Sequence, residues 1–191
     1  MDLRKKILLA ILFSTQLSSC VNATITGAQA FYDRRNIQKN LNDQYIAYRA
    51  DRSIYIDNKQ FKNTHVNVAS FNGVVLLAGQ VQEPSQRDEI EQLVRKVSGI
   101  KELHNVVTVA SPTSALTQIS DTWITTKVKT KLIAMNDIDP SQIKVVTEDG
   151  TVYLMGIVPP DQADIAVDIA RTTDGVQRVV KIFDYVRISK T

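Results

Sequence analysis

The sequence predicts an α+β fold in which one unit, helix–strand–strand–helix–strand, occurs twice in tandem as two domains. Each copy lays two helices on one face of a three-stranded sheet. Three observations carry this. The stretch from His65 to Val81 matches the stretch from Gln142 to Val158, with Gly73 and Gly150 in register, and self-similarity at a fixed period marks a repeated structural unit. Each stretch breaks at a dipeptide, Asn72-Gly73 or Asp149-Gly150, that favours a type I′ hairpin because both central residues need positive φ. Each is then followed by apolar residues at helical spacing.

The opening helix of the first copy is expected from Asp43 to about Asp57, because Asp43-Gln44-Tyr45-Ile46-Ala47-Tyr48-Arg49-Ala50 aligns with Asp121-Thr122-Trp123-Ile124-Thr125-Thr126-Lys127-Val128 at the head of the second copy. The hairpin follows. For the next helix, Ser85 with Asp88 resembles a capping box, Ile90, Leu93, Val94 and Val97 form the inward stripe, and Gly99 supplies an αL stop. Leu103 to Val109 is the third strand. Ala110 to Ser120 reads as a short linker. In the second copy the opening helix spans Asp121 to Met135 with Ile124, Val128, Leu132 and Met135 inward. After its hairpin, Asp161 caps a helix carrying Ala166, Ile169 and Ala170, Gly175 ends it, and Val179 to Ile188 is the last strand. The domain boundaries on this reading are 43–110 and 121–191, with a linker over 111–120.

Ahead of both copies, Arg4, Lys5 and Lys6 precede an apolar run from Ile7 to Leu17, the shape of a cleaved secretion signal over residues 1–19. The run is too short to span a bilayer, which takes about 20 apolar residues. Leu17-Ser18-Ser19-Cys20 resembles the lipobox of bacterial lipoproteins, which implies that Cys20 is acylated and becomes the mature N-terminus, with residues 20–42 as a lipidated tether. The alternative is an ordinary signal with an incidental cysteine, and Cys20 is the only cysteine of the chain. Each buried methylene contributes about 0.8 kcal/mol, so several acyl chains together hold a protein firmly where one does not. Val21, rather than aspartate, follows the cysteine; the resemblance therefore implies the periplasmic face of the outer membrane.

Loss of residues 1–19 removes Asp2, Arg4, Lys5 and Lys6, so the formal charge of +3 falls to about +1. That is far from the concentrated basic surface of a nucleic-acid binder, and that class is excluded. With its one cysteine lipidated the mature chain can form no disulfide, and its stability must come from packed cores.

No catalytic constellation is visible. His65 and His104 fall at the start of a strand and within one, the repeat replaces them with Gln142 and Val180, and neither has a metal-ligand spacing to another histidine or a cysteine. The glycines are dispersed at turns and caps and make no phosphate-cradling loop. Carboxylates such as Asp88, Glu89 and Glu91 read as solvated helix faces. A non-enzyme with no cofactor and no metal site is expected.

Trp123, the one tryptophan, projects away from the inward stripe of its helix, near Thr126, Thr130, Lys127 and Ile133. Two environments fit it. It can pack into the seam with the first domain, or it can anchor at a membrane interface, where indole suits the headgroup boundary and Lys127, Lys129 and Lys131 attract anionic lipid by about 1 kcal/mol each.

The duplicated unit, with its Gly-x-Val-x-Leu-x-Gly hairpin strand and its Gly99-Ile100 and Gly175-Val176 helix endings, resembles the BON domain. Tyr32-Asp33-Arg34-Arg35 and the segment Asp121 to Val128 are similar to the dual-BON-domain outer-membrane lipoproteins that localise to division sites. That resemblance implies a lipid-anchored, periplasm-facing protein that supports outer-membrane integrity, and a second domain that binds anionic phospholipid through its opening helix. Carried over, Trp123 inserts, Lys127 and Lys131 hold phosphates, and Thr130 and Ile133 complete the phospholipid-binding set. The first domain has Tyr45 and Arg49 at matching positions but Ser53 in place of Lys131, so it is expected to bind lipid weakly or not at all. The competing expectation is an adaptor whose paired domains bind envelope-assembly proteins or regulators of cell-wall hydrolases, with no lipid recognition.

Overall fold

The computed structural model describes residues 27–185. The signal segment, Cys20 and the expected strand end at Ile188 lie outside the described residues. The chain clusters into a unit ending at Asn36 and a unit from Ile37 onward that holds both repeats. Helix α1 runs over Gly27–Tyr55, so it begins well before Asp43. The segment from Gly27 to Asn42 contains no proline and is mostly made of tolerable or good helix formers, which lets the helix extend without an apolar stripe to announce it. Asp43 is therefore an interior helix residue and not a cap.

In the first copy a single 3₁₀ turn, Lys59–Phe61, leads into β1 (His65–Phe71) and β2 (Val74–Val81). They pair antiparallel with Phe71 opposite Val74, and Asn72 and Gly73 have φ of 52° and 82°, as a type I′ turn demands. Helix α2 (Pro84–Arg95) is capped by Glu83 and Gln86 acting reciprocally, not by Ser85 with Asp88. Pro84 decides this: its fixed φ and missing N–H suit the first helical position, which places the cap one residue earlier. The third strand is split into β3 (Glu102–Asn105) and β4 (Thr108–Val109), both parallel to β2. At the break the Asn105 side chain accepts from the Val107 amide at 3.1 Å.

The second copy opens with α3 (Ala115–Ile133), whose N-cap Ser114 accepts from the Thr117 amide at 3.2 Å. Half of the expected linker is thus helix, and Met135 lies beyond the helix end and is partly exposed. Strands β5 (Ile143–Glu148) and β6 (Thr151–Val158) form the second hairpin, with φ of 47° at Asp149 and 68° at Gly150. Helix α4 (Pro160–Arg171) has Pro159 at its N-cap and Pro160 at its first position; Asp161 lies in the first turn and makes no capping bond. Strand β7 (Arg178–Tyr185) pairs parallel with β6 along its whole length.

Each sheet buries one face under its helices. Ile46, Ala50 and Ile54 of α1 meet Val66, Val75, Leu77 and Val81, with Ile90 and Val94 of α2 completing that core. Ile124, Val128 and Leu132 of α3 meet Val145, Val152, Leu154 and Val158, with Ala163, Ala166 and Ala170 of α4. A third apolar layer joins the two sheets by their other faces: Ala69, Leu76 and Ala78 against Val146, Tyr153 and Met155. The result is four layers, helix, sheet, sheet, helix. Strands β2 and β6 are consequently buried on both faces, the pattern of continuous apolar strands.

Polar groups cross the same seam. Gln80 donates to the Glu148 carboxylate at 3.0 Å and accepts from the Thr113 amide at 3.1 Å, and His65 Nε2 lies 3.6 Å from the other carboxylate oxygen. Burial holds the Glu148 carboxyl above the ordinary carboxylate range, opposed by Gln80 and His65. Two residues before the ends of β2 and β6 stand Gly79 and Gly156, where a Cβ would lie 2.0 Å from the His65 carbonyl oxygen and 2.4 Å from that of Gln142. No side chain fits there.

Candidate functional site

The repeat uses one device twice to fix its opening helix. Asp121 is buried on α3, and its carboxylate accepts from the amides of Asp149 and Gly150 at 2.8 and 2.9 Å. Asp43 on α1 does the same for Asn72 and Gly73, at 2.6 and 2.9 Å, and also accepts from the Ser70 hydroxyl at 2.6 Å. A carboxylate accepting from turn amides makes charge-assisted bonds, roughly twice as strong as neutral ones. This clamp sets the rotation of each helix about its axis, and so determines which residues face outward.

On α3 the outward arc is apolar. Leu116, Ile119, Trp123 and Ile133 are 76%, 59%, 65% and 69% exposed, and at about 100° per residue they fall on one side of the helix, opposite Ile124, Val128 and Leu132. Trp123 takes no part in the apolar layer between the sheets. Thr126 and Thr130 lie within the arc. Along one flank, Lys127 donates to the Asp174 carbonyl at 2.6 Å and Lys131 to the Thr172 carbonyl at 3.4 Å. Both carbonyls belong to the segment that follows α4. The ammonium groups are thereby held along the flank of α3 that faces the end of α4, each with further hydrogens to donate.

Lys129 does not join them. It lies on another side of α3, in a groove with Lys144, so two of the three lysines of this helix flank the tryptophan. Leu116 and Ile119 were not anticipated, because the segment before Ser120 reads as linker. Their signal was present: Leu116, Ile119 and Trp123 follow an i, i+3, i+7 spacing, and Ser114 stands where a cap would.

Among the described residues, no helix is long and apolar enough to cross a membrane, and no group of three or more histidine, cysteine or carboxylate residues could hold a metal ion. The exposed apolar arc is too narrow for a bilayer span.

Comparison with known proteins places this geometry in a family. The BON domain profile matches residues 50–111 and again residues 120–187, one match on each copy of the repeat. The chain is 34% identical over 186 residues to the outer membrane lipoprotein DolP of Haemophilus influenzae, an alignment that covers 95% of this chain and 96% of that protein. It is 33% identical over 156 residues to the 21 kDa hemolysin of Actinobacillus pleuropneumoniae, covering 81% of this chain and 80% of the other. With the osmotically-inducible protein Y of Escherichia coli it shares 34% identity over 132 residues, 67% of this chain and 65% of that one. Two clamped helix–hairpin units, two matching profile segments and end-to-end similarity to a lipoprotein of the same architecture lead to one conclusion: this chain belongs to the BON-domain family, as a dual-BON member of the kind represented by DolP.

Proposed function

We propose that this protein is anchored by lipid at Cys20 to the periplasmic face of the outer membrane, binds anionic phospholipid through α3, and supports outer-membrane integrity at division sites. The observation that carries the lipid reading is the apolar arc of Leu116, Ile119, Trp123 and Ile133 with Lys127 and Lys131 along one flank. Leucine, isoleucine and indole gain by leaving water, at about 25 cal/mol per Å² of apolar surface. Two lysines beside them add attraction to an anionic surface that salt weakens. In this reading Trp123 and Ile133 insert, Lys127 and Lys131 meet phosphates, and Thr130 lies at the headgroup boundary. The similarity to an outer membrane lipoprotein over nearly the whole chain supports the anchor and the location.

The test is sedimentation of the chain, produced without signal and acyl groups, with vesicles that contain or lack phosphatidylglycerol. Binding to the anionic vesicles, weakened by salt and lost in Trp123→Glu at unchanged thermal midpoint, is the expected result. Normal binding by that variant rules the reading out.

A second reading, the protein-binding adaptor, rests on α1. Leu41, Tyr45 and Tyr48 are exposed on one side of that helix, with Ile56 exposed just past its end, and Arg49 lies 6.0 Å above the Tyr45 ring. An aromatic surface with arginine is the composition of an interface hot spot. Retained vesicle binding but lost biological activity in Tyr45→Ala with Tyr48→Ala would favour it.

A further inference from the structure

The free edges of β1 and β5 come together beside α3 along a trough. One stretch of about 630 Å³ has Asn67, Thr122 and Thr125 in its wall, and the next, of about 270 Å³, has Asn40, Gln44 and Ser141. Lys129 and Lys144 line both stretches, so they stand where the two meet.

The trough also holds acids, but each is already engaged. Asp43 and Asp121 clamp the hairpin amides, and Glu148 accepts from Gln80 and lies beside His65. The threonine hydroxyls are used as donors too: Thr122 donates to the Gln118 carbonyl, Thr126 to the Thr122 carbonyl, and Thr125 to Thr147. Lys144 spends one hydrogen on the Ser70 carbonyl at 3.1 Å. Lys129 has no hydrogen-bond or ion-pair partner among the described residues. The unspent donors of the trough are therefore ammonium hydrogens, which are charged, and the neutral side-chain amides of Asn67, Asn40 and Gln44. Burial holds the Lys144 ammonium below the ordinary lysine range, offset by Asp43 and reinforced by Lys129. An anion placed between the two lysines would relieve their repulsion and restore the solvation that burial removed.

We propose that this trough binds a phosphate-bearing polar molecule, with the phosphate held between Lys129 and Lys144. Two positive charges match the −1.5 to −2 of a phosphate monoester better than the single charge of a carboxylate. The space exceeds that of a bare ion several-fold, so the rest of the molecule lies along the wall toward Asn67 or toward Ser141. The two lysines lie on a different side of α3 from Trp123, although Thr126 borders both surfaces, and the outcome does not depend on the Trp123 arc binding membrane. The phosphate can belong to a small solute or to a lipid headgroup.

The experiment follows the lysine side-chain carbon resonances of the purified protein by NMR. The probes are inorganic phosphate, glycerol 3-phosphate and dihexanoyl phosphatidic acid below its micelle concentration, the last being a lipid whose headgroup is a phosphate monoester. The Lys129 and Lys144 signals are expected to shift together in saturable fashion, with the titration of Lys144 moving to higher pH. Lys129→Gln, at a side chain bound to nothing else, should weaken binding at least tenfold. Lys144→Arg should retain it within a few-fold, and Lys127→Gln on the Trp123 arc should leave it unchanged. Saturation by glycerol 3-phosphate assigns the site to a soluble phosphate; saturation by the short-chain lipid alone assigns it to a headgroup. No shift with any probe, or a shift that survives Lys129→Gln, overturns the proposal.

Discussion

Helices α1 and α3 are copies of one element, and they have diverged in a single direction. Toward the core they agree: Ile46, Ala50 and Ile54 correspond to Ile124, Val128 and Leu132, all buried, and Asp43 corresponds to Asp121 in the hairpin clamp. On the outside they part. Tyr45 stands for Trp123, Arg49 for Lys127, and Ser53, whose hydroxyl donates to the Ala50 carbonyl, for Lys131. Tyr55 stands for Ile133, yet it is turned inward, where its hydroxyl lies within hydrogen-bond reach of both the amide and the carbonyl of Val66 on the edge of β1. The unit therefore fixes which side of the helix faces out and leaves free what that side carries. In the first copy the outward aromatics are tyrosines under an arginine; in the second they give way to a tryptophan, aliphatics and two lysines.

The largest expected consequence of this difference is in vesicle binding. Trp123→Glu should lower affinity for phosphatidylglycerol vesicles about a hundredfold, near 2.7 kcal/mol, whereas Tyr45→Glu should change it less than twofold; cosedimentation of the two variants side by side measures this. Equal losses would mean that the copies share the function.

The clamp should matter equally to both copies. Asp121→Ala strips two amide partners from the second hairpin and should cost about 2 kcal/mol, with Asp43→Ala, which strips three, costing somewhat more. For a chain of this size that is roughly 4–8 °C in thermal midpoint, read by circular dichroism. A midpoint that does not move would show that the helices are held by their apolar faces alone. A smaller effect follows for the lysines: Lys127→Gln and Lys131→Gln should each weaken vesicle binding about fivefold at low salt, near 1 kcal/mol, while Arg49→Gln leaves it unchanged. Binding constants across a salt series would separate these from the apolar part of the Trp123 effect, read in Trp123→Ala, which salt should barely alter.

The smallest effect is on stability against pH. Because the folded state holds the Glu148 carboxyl above its ordinary range, it binds that proton more tightly than the unfolded chain does. Stability from this group is present below the ordinary glutamate value and is lost as pH rises through the raised one. Glu148→Gln should therefore melt slightly higher than the parent at pH 7.5 and lose the advantage near pH 4. The comparison is cleanest in a His65→Gln background, which removes the imidazole 3.6 Å from the carboxylate. A variant that melts lower at pH 7.5 would show that the carboxylate contributes more through Gln80 than burial costs.

Much of the fold was legible because its signals are local. Asn72-Gly73 and Asp149-Gly150 specify their turns by backbone chemistry alone, and the period that separates them exposes the repeat. The caps were misplaced because Ser85 and Asp161 are good capping residues that lie just past a proline, and Pro84 and Pro160 take the first helical position. The sheet-to-sheet layer was not read, although Val74 to Ala78 and Val152 to Met155 are apolar on both alternations, which means burial on both faces. At the candidate site the outward aim of Trp123 and the place of Lys127 beside it are visible from helical phase, and Lys131 comes from the resemblance. Lys129 is grouped with them by charge alone, whereas it lines a groove with Lys144, and Leu116 and Ile119 are hidden by reading Ser111 to Ser120 as linker. The role of Asp43 and Asp121 was not accessible from sequence, since it depends on a contact between a helix and a turn nearly 30 residues away.

The apolar seam between the sheets also has a mechanical consequence. Ala69, Leu76 and Ala78 pack against Val146, Tyr153 and Met155, and close-packed interiors pass strain on instead of yielding to it. A force applied at α3 is therefore carried through both sheets to α1, and whatever is held by one copy of the repeat pulls on the other.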